Sequence, residues 1–342
     1  MKAMRLESIC SLDRNSEPLT LTEIPRPEPG PGQLLLEVTA CGVCHTELDE
    51  IEGRTPPPRL PVTPGHQVVG RVAEAGPGAD RSRIDEIAGV AWIWSACGHC
   101  RHCLSGNENL CPNFLATGRD ADGGYAEYMR VPEEFAHPIP PMISAAEAAP
   151  LLCAGGVGYR SLRLAGIQNG GTLGFYGLGA SAHLVIQMAR HEYPDASLYV
   201  FTRSESKQEF ARGLGADWSG APGDEPPSLM DAVIDTTPVW RPIEEGLRLL
   251  GPGGRLVVNA IRKINADRDA LGDIHYHTHL WMERELTTVA NVTREDIRRA
   301  LAVAAEIPIR PTVETYGLED ANRALVELKE SEGRGAKVLV MS

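Results

Sequence analysis

The stretch Gly174-Phe-Tyr-Gly177-Leu-Gly179-Ala180-Ser-Ala182-His183 decides the fold. It spells G-x-G-x-x-A between an apolar run, Thr172–Tyr176, that predicts a strand and a segment, Ser181–Arg190, that predicts a helix. In that setting the glycines permit a tight turn and let a pyrophosphate approach the first amides of the helix. The chain has 35 glycines, so the motif gains its meaning from the strand before it and the helix after it.

The pattern continues downstream. Ser197–Phe201 and Ala232–Asp235 read as strands, Ser206–Leu214 and Ile243–Leu250 as helices, and Arg255–Ala260 as a further strand. This alternation predicts an α/β fold, a Rossmann doubly wound parallel sheet with helices on both faces. The second strand runs into Thr202-Arg203-Ser204. An NAD site usually puts an acid there for the ribose 2′-hydroxyl, whereas Arg accommodates a 2′-phosphate. NADP is therefore favoured over NAD; in the plainer reading Arg203 points into solvent.

The flanks have another texture. Residues 1 to about 150 are rich in Pro and Gly, with short β-like runs at Gln33–Ala40 and Val68–Ala75 between segments such as PRPEPGPG and TPPPRLPVTPG. An irregular β-rich domain with long loops is expected. Beyond about residue 290, Arg294–Glu306 and Glu319–Lys329 read as amphipathic helices before a last apolar run, Lys337–Met341, expected to rejoin the N-terminal part. The length of 342 residues suits two domains.

Bulk properties narrow the function. With 42% hydrophobic and 23% charged residues the chain should fold rather than stay disordered. A net charge of −13 and the lack of a Lys/Arg run oppose a nucleic-acid partner. The N-terminus, MKAMRLESICSLDRN, has no signal-peptide core, and no apolar run is long enough to span a membrane. The cytoplasm is the expected setting, where 8 cysteines are reduced thiols or metal ligands.

Cys97-x2-Cys100-x2-Cys103-x7-Cys111 is the most specific metal signal. Its spacing suits one tetrahedral zinc closed on all sides by sulfur, a structural site; an iron–sulfur cluster is the alternative. His99 and His102 are expected to be exposed bystanders. Cys10, Cys41, Cys44 and Cys153 remain, with His66 in Pro64-Gly-His-Gln67. One cysteine of Cys41-Gly-Val-Cys-His-Thr-Glu47, with His66 and Cys153, could form an open catalytic site. Spacing does not support so dispersed a set. Cys41 and Cys44 could equally be a redox pair, and Cys153 a small core residue. His275, His277 and His279 alternate and could share one face of a strand, but a polar loop is the simpler reading and they are assigned no role.

Taken together, CGVCHTE, PGHQVVG, the cysteine tetrad, LLCAGG and YGLGAS resemble the zinc-dependent alcohol dehydrogenases of the medium-chain dehydrogenase/reductase superfamily. The likeness covers essentially the whole chain and is nearest to bacterial relatives of cinnamyl alcohol dehydrogenase. It implies a GroES-like catalytic domain over 1–152 and 293–342 with a structural-zinc lobe, and a Rossmann dinucleotide-binding domain over 153–292. The implied reaction is hydride transfer between a small alcohol or aldehyde and NAD(P), in a homodimer or homotetramer.

The resemblance places catalytic zinc on Cys44, His66 and Cys153, structural zinc on Cys97, Cys100, Cys103 and Cys111, and leaves Cys41 as a core thiol. His45 takes the place of a pyrophosphate contact, Thr46 that of the hydroxyl passing on the substrate proton, and Trp92 lies near the substrate pocket. Gly177, Gly179, Ala180, Ala182, Thr202, Arg203 and Ser204 fall to the cofactor. Three departures stand out. Gln67 replaces an acid after the ligand histidine, Glu47 an Asp that would orient His66, and Asp49 a relay histidine, so the proton would leave through Asp49 or water. A rival reading is a zinc-stabilised NADPH-binding protein without alcohol turnover, for which an open zinc site would have no use.

Overall fold

Thr172–Tyr176 is buried from its second residue onward, as a strand covered on both faces must be. In the computed structural model, which describes residues 1–179, 181–307, 309–330 and 335–341, this strand lies inside a six-stranded sheet. On one side come Ser197–Phe201 and then Trp218–Gly220; on the other come Met230–Asp235, Leu250–Val258 and Glu285–Thr288. Every pairing is parallel. The first strand thus sits at the centre and the order reverses beside it, which is the doubly wound topology. Tyr176 stacks on Phe201 with ring centroids 4.4 Å apart, and both rings are buried.

Two elements of this sheet departed from the pattern. The helix read over Ile243–Leu250 runs Arg241–Arg248, and the next strand starts at Leu250, before its Gly-Pro-Gly-Gly segment, where the register against Met230–Asp235 shifts. The edge strand Glu285–Thr288 is mostly exposed and carries no apolar alternation, so periodicity had nothing to register. His275, His277 and His279 do not lie on a strand. Tyr276–Leu280 is a π-helical turn in which Trp281 N–H donates to Tyr276 O at 2.7 Å.

The chain divides into two units, Val157–Ala290 around that sheet, and Met1–Gly156 with Asn291–Ser342. The second unit is built on Gln33–Val43. Leu34, Leu35 and Leu36 are fully buried, each stabilising the fold by about 1.5–3 kcal/mol. Val68–Ala75 pairs along one edge of this strand. On the other edge, Tyr128–Pro132 pairs with the first part and the C-terminal strand Ala336–Val340 with the last. Because Cys41, Gly42 and Val43 pair with Leu339, Val338 and Lys337, the strand runs to Val43 instead of dissolving into a loop after Ala40. Helix His45–Ile51 follows at once. Among the described residues, no helix is long and apolar enough to cross a membrane.

Candidate metal centre and cofactor loop

Cys44 is the hinge between that strand and that helix. It is the helix N-cap, with its sulfur accepting the Thr46 N–H at 3.3 Å, while Glu47 reaches back to accept the Cys44 N–H through Oε2 at 2.9 Å. The other oxygen of Glu47 lies 2.5 Å from His66 Nδ1. With Nδ1 engaged by a carboxylate, Nε2 is the ring atom left to face a metal, and it lies 3.8 Å from Cys44 Sγ. His66 itself is set by the turn at Gly65, whose φ of +100° suits glycine and where a Cβ would come 2.8 Å from Cys41 Sγ. Cys41 is fully buried in the core cluster of this unit.

The third donor comes from far along the chain. Pro150 lies in the helix Ala145–Pro150, and the chain continues as a π-helical turn, Leu151–Gly155, that carries Cys153. The donor atoms of Cys44, His66 and Cys153 all lie within 4.8 Å of one another.

The chemistry of this trio fits a divalent cation. The Cys153 thiol and burial push the Cys44 thiol well above its usual range. Burial opposes a proton on His66, but Glu47 and Cys44 outweigh it and hold the imidazole high. Cys44 and His66 thus both retain protons that a bound divalent cation would displace. Gln67 is buried against Gly42, where an added Cβ would meet its Oε1 at 2.5 Å. Asp49 is buried too, with Arg54 Nε donating to its Oδ1 at 2.5 Å.

Cys97, Cys100, Cys103 and Cys111 form the second group of this kind among the described residues. Cys100 Sγ and Cys103 Sγ are 3.5 Å apart, and backbone N–H groups of Cys97, Cys103 and Asn113 point at sulfurs at 3.4–3.5 Å. Amides of His99 and Cys100 draw the Cys97 thiol down to about 6. Burial and the Cys100 thiol push Cys103 the other way, up to about 12, so it is the gathering of four sulfurs around one point that suits the lobe to a metal. His99 is exposed and His102 half-buried.

Sequence reading missed Glu108, inside this lobe. It is buried and accepts the Arg294 N–H at 2.8 Å, at the start of helix Arg294–Glu306. An acid between two lobe cysteines was its only signal. Glu50 was missed as well; it is buried one turn after Glu47, and its Oε1 has no hydrogen-bond partner. His45 is exposed and Thr46 half-buried, with the Cys44 thiol donating to Thr46 Oγ1 at 3.4 Å. Trp92 is half-buried, 5.2 Å from the Phe114 ring, under the guanidinium of Arg119.

In the other unit, Gly177 turns at φ +87° directly after Tyr176. A Cβ on Gly179 would meet nothing within 4 Å, so packing does not explain that glycine, and the space over the turn is open. Helix Ala182–Glu192 follows; Ala182 is fully buried, and the side chain of the N-cap Ser181 accepts no capping hydrogen bond from the first amides. The His183 and Leu184 N–H groups donate to Gly179 O at 3.3 Å and Ser181 O at 3.1 Å, so it is the open space at a glycine turn leading into a helix that fits a phosphate-bearing cofactor. Thr202 is buried, Arg203 exposed, and Ser204 caps Glu205–Gly213 through the Lys207 N–H. Ala180 lies outside the described residues.

Fold and site together define an oxidoreductase built from a β-rich unit and a Rossmann unit. Residues 30–141 match the alcohol dehydrogenase GroES-like domain. A probable alcohol dehydrogenase of Mycobacterium tuberculosis is 41% identical over 326 residues, covering 94% of this chain and 91% of the relative. The cobalt- and zinc-bound thermostable alcohol dehydrogenase of Pyrobaculum aerophilum superposes with a TM-score of 0.83 at 26% identity, over 99% of each chain. A candidate zinc-binding dehydrogenase of Sinorhizobium meliloti, bound to NADP, gives 0.83 at 26% identity, over 99% of this chain and 98% of that one. The chain belongs to the alcohol dehydrogenase family.

Proposed function

We propose that this protein interconverts a primary or secondary alcohol and its aldehyde or ketone, with NADP taken at the Gly177 turn and zinc held by Cys44, His66 and Cys153. The observation that carries this reading is the convergence of those donors within 4.8 Å from three distant segments. Zinc in such a site supplies a Lewis acid that lowers the pKa of an alcohol. Glu47 fixes the Nδ1–H tautomer of His66, and Thr46 Oγ1 receives the substrate proton. Thr46 hands it to water or to Asp49, one helical turn on, whose carboxylate Arg54 holds in place. Trp92 is proposed for the substrate pocket, and Arg203 for a ribose 2′-phosphate.

The tetrad Cys97, Cys100, Cys103 and Cys111 would hold a second, structural zinc, with no ligand position left for catalysis. A homodimer or homotetramer in the cytoplasm is the proposed state. Cys44→Ser tests the central assignment. Turnover should vanish and metal content fall by about one zinc per chain, while NADPH binding, followed by fluorescence, persists. Full activity in this variant would sink the proposal, and wild-type protein that binds NADPH but turns over no alcohol or aldehyde would favour the binding-protein reading.

A further inference from the structure

In the unit Val157–Ala290 the strand order reverses between Thr172–Tyr176 and Met230–Asp235, and ligands of such sheets bind outside the carboxyl ends at that point. Arg203 follows Ser197–Phe201, on one side of the reversal, and the glycine turn lies at its centre. A dinucleotide with its adenosine at Arg203 and its pyrophosphate at the turn must lay its other half over the ends of Met230–Asp235 and Leu250–Val258. Two loops, 235–239 and 259–264, leave the sheet there.

Lys263 fastens these loops together. Its side chain is 9% exposed and ion-paired with the fully buried Asp235. The same ammonium donates to Thr237 O at 3.0 Å and Val239 O at 2.7 Å, so all three of its protons are used. Asp235 Oδ1 accepts from both the N–H and the hydroxyl of Thr237 at 2.8 Å. The Ile264 N–H donates to Pro238 O at 2.7 Å.

The clamped loop rests on the glycine turn. Thr236 N–H and Oγ1 both donate to Tyr176 O at 3.0 Å, and a Cβ on Gly177 would come 2.9 Å from Thr236 Oγ1. A buried ion pair adds little net stability over an apolar pair of the same shape, so a role in fixing one geometry is the better account of it.

We propose that Lys263, paired with Asp235, is a positioning residue for the nicotinamide half of the cofactor, holding both strand-end loops against the glycine turn as the floor of that half-site. The inference rests on the dinucleotide reading above. It predicts a loss confined to one half of the ligand, which general loosening of the unit would not produce.

The test is to titrate the full-length wild type, Lys263→Met and the doubly neutral Asp235→Asn/Lys263→Met protein with NADPH, and separately with adenosine 2′,5′-bisphosphate, which lacks the nicotinamide half. The double variant removes the buried unpaired carboxylate that could keep the single variant from folding. For both variants the Kd for NADPH should rise ~10-fold, as expected when a preorganised site is lost, with the fragment Kd changing less than ~2-fold. Unchanged NADPH affinity in the double variant overturns the proposal, as does equal weakening of both ligands. Wild-type protein that binds neither ligand removes the dinucleotide reading and this inference with it.

Discussion

Glu47 binds the backbone of one candidate zinc ligand and the ring of another, through Oε2 to the Cys44 N–H at 2.9 Å and through Oε1 to His66 Nδ1 at 2.5 Å. The resemblance led one to expect Asp here. The longer side chain is what lets the third helical residue reach back to the N-cap as in a capping box while still touching the imidazole. Glu47→Ala should therefore lose zinc faster to a chelator and lower kcat/KM by ~10–100-fold, the usual effect of removing a carboxylate behind a ligating histidine. Glu47→Asp should fall between, since the shorter chain can keep only one of the two bonds. Zinc retention and kcat/KM equal to wild type in Glu47→Ala would show that the carboxylate orients nothing that matters.

In the proposed reading the choice of cofactor turns on Arg203, exposed after the strand Ser197–Phe201. A charge-assisted hydrogen bond to phosphate contributes about 1.5–3 kcal/mol. Arg203→Ala should thus raise the KM for NADPH by ~10–100-fold and leave that for NADH nearly unchanged. Initial rates with both cofactors over a panel of aliphatic, allylic and aromatic aldehydes would check this, and wild-type rates with NADH equal to or above those with NADPH would refute the reading of Arg203.

A pH dependence follows from Glu52, which closes the end of helix His45–Ile51. Burial alone would raise its carboxyl, but Lys329 Nζ at 2.7 Å, Arg54 Nη1 at 2.8 Å and the Leu12 N–H at 3.2 Å outweigh that and bring it down to about 2. A carboxyl whose folded pKa lies below its unfolded value stabilises the protein above the unfolded pKa and loses that stabilisation as pH falls through the folded one. The window here runs from the ordinary Glu value of about 4.3 down to about 2. Glu52→Gln should destabilise by ~1–2 kcal/mol at pH 7, discounted for the partial exposure of both cations, and by less at pH 3. Denaturant unfolding of both proteins at the two pH values measures it; a deficit of the same size at both would assign the loss to packing.

The tetrad Cys97, Cys100, Cys103 and Cys111 was legible because its geometry is local. Ligands three or eight residues apart in one short segment have little freedom not to meet, and their sulfurs do gather. The same holds for the central strands and the Gly177 turn, where apolar runs and a glycine at positive φ are properties of a few adjacent residues. The edge strand Glu285–Thr288 had no such mark, because it exists only by pairing with Leu250–Val258.

What the chain by itself determined was the inventory, a set of soft ligands, a glycine turn between strand and helix, and an acid at position 47. Only the tertiary structure decided which of them meet. Cys44 and Cys41 look alike in sequence; the pairing of Cys41–Val43 with Lys337–Leu339 buries one in the sheet and leaves the other at the head of a helix beside His66 and Cys153. Lys263 and Asp235 are 28 residues apart and carry no pattern that links them. Their pairing depends on the ends of adjacent parallel strands, and strand order is a long-range choice that no short spacing encodes.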